Sequence, residues 1–217
     1  MQRFTLLHDG SSHGWQAAYL AFHLSARLGA PLLVLLVGSA VDRDMIAERA
    51  TQVEVGGRAA GLVIKTRLVD DFSVKVVAEH ASGSDGLIVP GQLVQDEMLR
   101  ARFLETLSCP LWVVTKESEM SKMAVLVSDA TTEDSLVAQA ASLANRLQEP
   151  LIGLARQETF AVLTQRYRAI SWHQIPDLSP AKITGALGQL DSEILFLSDS
   201  DFSMANDLPI NCVVCPA

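Results

Sequence analysis

The stretch FTLLHDGSSHGWQAAYLAFHLSARLGAPLLVLLV at 4–37 is echoed by AVLVSDATTEDSLVAQAASLANRLQEPLIGLA at 124–155. Each opens with an apolar run ending at an aspartate, Asp9 or Asp129. Each continues through a polar turn into an alanine-rich helical segment that closes on Arg-Leu, at Arg27-Leu28 and Arg146-Leu147. A short gap then leads to Pro31 or Pro150 and a second apolar run. The aspartates lie 120 residues apart and the Arg-Leu pairs 119 apart, so the copies differ by one residue in the first turn. An ordered series of this kind reads as one domain present twice.

Each copy goes on in alternation. In the first, 41–61 reads as a helix ending in glycines, 62–70 as a strand and 73–83 as a helix closed by Gly83. GLIVPG (86–91) is a fourth strand, 95–107 a helix and 109–115 a fifth strand. Strand-helix alternation with short apolar strands predicts right-handed crossovers and a parallel sheet with helices on both faces. The expected organisation is domain 1 at 1–116, a polar linker at 117–122 and a reduced domain 2 at 123–217. In the second copy 157–168 reads as a helix, 169–175 as a strand and 179–190 as a helix weakened by Gly185 and Gly188. Strands follow at 193–198 and 211–215, with only DSDFSMANDLPI between them. That leaves room for about one helical turn in the fourth crossover.

Of the 217 residues 49% are hydrophobic and 19% charged, which is a globular composition. No apolar run approaches the roughly 18 residues of a membrane span. The longest, 31–37, has strand length. A net charge of −8 repels phosphate backbones, so nucleic acid is not an expected partner. The opening MQRFTLLHDG reaches an acidic turn too soon to read as a secretory signal. Three cysteines without framework spacing suit a reducing cytoplasm.

The segments LLHDGS (6–11), ARLGAPL (26–32), SDGLIVPG (84–91) and SCPLWVV (108–114) together resemble the universal stress protein family. The resemblance spans 1–116 and returns more weakly over 122–217, as in a tandem member. It implies two Rossmann-like, adenine-nucleotide-alpha-hydrolase-like domains, each with a five-stranded parallel sheet in the order 3-2-1-4-5. It also implies self-association through fifth-strand edges. Many members bind ATP. Here the resemblance places that site at Asp9, at Val37 by a backbone contact, and at Gly91 in the loop after strand four. The family's loop pattern is Gly-x2-Gly-x9-Gly-Ser/Thr. Val94 stands at its second glycine, and its final pair falls near Glu97-Met98, about half the proper spacing away.

A phosphate cradle needs inward-pointing amides, which glycine permits and a β-branched residue resists. Asp96 and Glu97 would each repel a polyphosphate by roughly 1–4 kcal/mol at a few ångströms. Residues 192–217 hold no glycine, and two more acids, Asp199 and Asp201, replace the second loop. The resemblance therefore implies a non-catalytic cytoplasmic stress-response protein. ATP binding of the usual kind is expected to be lost and action to run through protein partners. The alternative is a nucleotide or other small-ligand module using the Asp9 cleft.

Other motifs have plainer readings. His8, Asp9 and His13 could hold a metal, but helix capping by Ser11 or Ser12 explains the turn more simply. CVVC at 212–215 has redox spacing, yet on a strand its two cysteines face opposite sides and read as small buried residues. Trp15, Tyr19, Phe22 and His23 recur at helical spacing, which predicts a core stripe with His23 at its edge. Thr131 and Asp134 resemble a capping box after Asp129. No G-x-S-x-G elbow occurs, so no catalytic residue is assigned.

Overall fold

The computed structural model describes residues 3–38, 43–69, 72–118, 120–128, 133–205 and 207–216. They divide into two compact units, 1–117 and 118–217. The first begins with Phe4–His8 (β1), every residue of which is buried. Ser11 caps Ser12–Leu28 (α1) by accepting from the Gly14 amide. Gly29, at φ 61°, ends that helix, with its own amide and that of Ala30 returning to the carbonyls of Ala26 and Ser25. Leu32–Val37 (β2), Arg43–Ala59 (α2), Ile64–Val69 (β3) and Val74–Ala81 (α3) follow. Then come Gly86–Pro90 (β4), a 3-10 turn at Gly91–Val94, Glu97–Thr106 (α4) and Leu111–Val114 (β5). The strands adjoin in the order β3-β2-β1-β4-β5, all parallel.

The second unit repeats the plan with Met123–Val127 (β6), Glu133–Leu147 (α5), Leu151–Arg156 (β7), Gln157–Arg166 (α6), Ser171–Ile175 (β8), Pro180–Leu190 (α7) and Ile194–Ser198 (β9). Its fourth crossover is a 3-10 turn at Asp199–Asp201 running into the four-residue Phe202–Ala205 (α8), before Asn211–Cys215 (β10). These strands adjoin in the order β10-β9-β6-β7-β8, again parallel. The α/β fold class and the parallel pairing are those expected from the alternating pattern. The repeat extends to helix closure: Gln148, at φ 58°, stands where Gly29 does, and the amides of Gln148 and Glu149 return to Asn145 and Ala144.

Gly56 and Gly57 lie inside α2, as the 41–61 reading has them, and a Cβ on Gly57 would fall 1.7 Å from Cδ1 of Ile64, so the glycine lets β3 pack closely against the helix. The chain turns at Gly61, at φ 74°. Within the 117–122 stretch the described residues are partly packed. Ser118 and Met120 are buried, and Glu193 accepts from the Ser118 hydroxyl and the Ser121 amide at 2.9 and 3.0 Å. The aromatic stripe of α1 is not core, contrary to expectation: Trp15 is 36% and Tyr19 40% exposed. The buried face of α1 is instead Ala17, Leu20, Ala21 and Leu24, whose smaller side chains let the helix lie close on the sheet. Asp129, Thr131 and the proposed capping box lie outside the described residues, although Asp134 itself accepts from Arg166 and the Tyr167 hydroxyl. Among the described residues no helix is long and apolar enough to cross a membrane.

Candidate functional site

In a parallel sheet of this order, ligands gather where the strand order reverses, between β1 and β4, beyond the carboxyl ends of the strands. The register pairs His8 with Leu36 and Leu6 with Ile88. Carried on along the strands, it sets Asp9, Val37 and Gly91 level with one another at that end. The three residues inferred from sequence therefore share one rim.

Their chemistry there is mostly internal. Asp9 Oδ1 accepts from the Ser11 amide at 3.0 Å and the Ser11 hydroxyl at 2.7 Å, while Ser11 Oγ accepts from the Gly14 amide at 3.0 Å. Gly14 makes room for this: a Cβ there would lie 2.5 Å from Asp9 Oδ1. His8 is buried at the end of β1, and its Nδ1 accepts from the Gly10 amide at 2.9 Å. That bond puts the proton of the neutral ring on Nε2. Burial lowers the His8 pKa; Asp9 opposes the shift and Arg49 adds to it. Its ring meets Trp15 edge to face at 4.7 Å. His13 turns instead towards Gln92, at 3.5 Å. His8, Asp9 and His13 thus look to three different partners, and among the described residues no group of metal-ligating side chains gathers.

The loop after β4 is closed. Gly91 is buried, and a Cβ on it would meet Thr115 Cγ2 at 3.1 Å and the Val114 carbonyl at 3.2 Å. Its role is close packing against the end of β5. Val94 is fully buried. Asp96 then caps α4, accepting from the amides of Met98 and Leu99 at 2.8 and 3.1 Å. Those are the helix-terminal donors that an anion would need. We predict that Asp96→Ala lowers stability by about 1 kcal/mol, read from urea unfolding. An unchanged midpoint would mean the cap is not formed.

One member of the site was not found from sequence. Arg49 reaches from α2 across Gly10, whose φ is 79°; a Cβ on Gly10 would lie 2.1 Å from the Arg49 guanidinium. No local signal marks Arg49, because α2 arrives there only by folding.

In the second unit the described part of the equivalent rim carries a carboxylate of its own. Asp201 Oδ2 accepts from Ser128 at the end of β6 and from Ser198 at the end of β9, at 2.5 and 2.9 Å. Ser200 adds a 2.7 Å hydroxyl contact to Ser198.

No known family model matches this sequence, and no curated protein does. Solved structures do match in fold. A universal stress protein from Archaeoglobus fulgidus DSM 4304 superposes with a TM-score of 0.72 at 14% identity, covering 99% of this chain and 96% of that one. A candidate universal stress protein from Pseudomonas aeruginosa UCBPP-PA14 gives 0.66 at 10% identity, covering 100% and 93%. A functionally unknown protein from Pseudomonas aeruginosa PAO1 gives 0.64 at 11%, covering 100% and 92%. The chain has the fold of the universal stress proteins, matched along its whole length.

Proposed function

We propose that this chain is a non-catalytic cytoplasmic protein of the universal stress type. On this reading it holds no ATP in the manner of its nucleotide-binding counterparts and acts through protein contacts, self-association by fifth-strand edges included. One observation carries the proposal: the Met98 and Leu99 amides at the start of α4 are already taken by Asp96. A bound polyphosphate would have to displace that carboxylate and then sit beside it, which costs Coulomb repulsion on top of the lost cap. Calorimetric titration with ATP and Mg²⁺ is expected to show no binding tighter than roughly 1 mM. Micromolar binding that disappears in Asp9→Ala would overturn the reading.

A second reading rests on a separate observation. Arg49 places a cation over Gly10, the residue after Asp9, while Ser11 engages Asp9 through Oδ1. A small ligand carrying both an anionic group and a hydroxyl or amine could use the two together, with Gly91 and Val37 as the walls. AMP binding that survives Asp96→Ala but not Arg49→Ala would favour this reading over the first.

A further inference from the structure

At the opposite end of the first unit, below the amino ends of the strands, lies an open groove of about 490 Å³. Its origin is the shortness of α3. Eight residues give a helix of about 12 Å, whereas the six-residue strands β2 and β3 run about 20 Å. Alternation along β3 turns Ile64 and Thr66 towards α2, where Ile64 packs on Gly57 and Thr66 donates to Glu54 at 2.6 Å. Lys65 therefore faces the other side, beside its register partner Leu33. Among the described residues no helix long enough to cover that side is present there, and Leu33 remains half-buried.

The walls are Pro31 and Val63, with Gly83 at the lip. The groove's charged lining residues are Arg3 and Lys65, both cationic. Arg3 spends its bonds on neutral acceptors, the Ser84 hydroxyl and the carbonyls of His80 and Ser82, at 2.9 to 3.2 Å. Among the described residues neither Arg3 nor Lys65 makes an ion pair with a carboxylate. A chain of net charge −8 thus lines an apolar trough with two uncompensated cations. The volume lies within the 300–1,000 Å³ range of small-molecule sites.

We propose that this groove binds a small amphipathic anion of the acyl-carboxylate type. The chain lies on Leu33, Pro31 and Val63, and the head group sits between Lys65 and the Arg3 guanidinium. The site is separate from the Asp9 rim and does not depend on what that rim binds.

The test uses the full chain and decanoate, followed by amide chemical shifts. Saturable shifts are expected at Leu33, Val63, Lys65 and Gly83, with decanol weaker and decylamine weaker still. Lys65→Glu reverses an exposed charge and is expected to weaken decanoate about tenfold. Val63→Asp, at a position 67% exposed, tests the apolar wall without touching the core and is expected to weaken it as well. The proposal is overturned if decylamine binds as well as decanoate, if Lys65→Glu leaves the affinity unchanged, or if the shifts gather at the Asp9 rim. It is equally overturned if a soluble acidic peptide moves these amides and decanoate does not.

Discussion

Replacing Trp112 with alanine is expected to cost about 3–5 kcal/mol, the range for truncating a large aromatic in a closed core. Trp112 sits on β5 with 2% of its surface exposed and meets Phe4 edge to face at 6.4 Å. Its ring fits because Gly86 has no side chain; a Cβ there would lie 2.7 Å from Trp112 Nε1. The surrounding strands are hydrogen-bonded on their parallel ladders, so they cannot move in to fill the space. Trp112→Phe keeps most of the volume and should cost much less. Urea unfolding followed by far-ultraviolet circular dichroism measures both. A loss under 1 kcal/mol for Trp112→Ala would mean that β5 is not packed as described.

Stability is also expected to fall steeply above pH 9. Burial pushes the Cys109 thiol up to about 11, and the thiols of Cys212 and Cys215 up to about 12, from an ordinary value of 9.0. The native state therefore keeps protons that the unfolded chain releases. The stabilisation is complete below pH 9 and is lost as pH rises towards 11 or 12. Each thiol removes about 1.4 kcal/mol per pH unit in that window. Lysines and tyrosines titrate nearby, so the comparison is with the Cys212→Ala, Cys215→Ala double variant. Its stability should decline less steeply between pH 9 and 10.5; equal slopes would contradict the assigned burial. The same burial explains why CVVC is not a redox pair: Cys212 and Cys215 are free, and neither is poised as a thiolate.

The fold was legible because its signal is repeated and local. An apolar strand, a helix and a second strand occur twice, and even the left-handed helix closure recurs, with Gln148 standing for Gly29. Small groups lost to packing were harder to read. Nothing in the sequence marks the missing Cβ of Gly57 as serving the approach of Ile64. The aromatic stripe of α1 has helical spacing, but spacing does not say which stripe meets the sheet. The alanine and leucine stripe does so, leaving Trp15 and Tyr19 on the shoulder. At the site, Asp9, Val37 and Gly91 were named from the family resemblance alone, and each ends or follows a strand. Arg49 could not be named from sequence, since it comes from a helix whose register over the rim is set only by tertiary packing.

At the start of α4 the Met98 and Leu99 amides are held by Asp96 and not offered to a polyanion. The most direct measurement is the change in amide chemical shifts of the full chain at millimolar ATP with Mg²⁺. Met98 and Leu99 are expected to stay where they are, as Asp96 keeps both N–H groups. Saturable shifts of those two amides together with Gly91 would place phosphate oxygens in the loop and contradict the account.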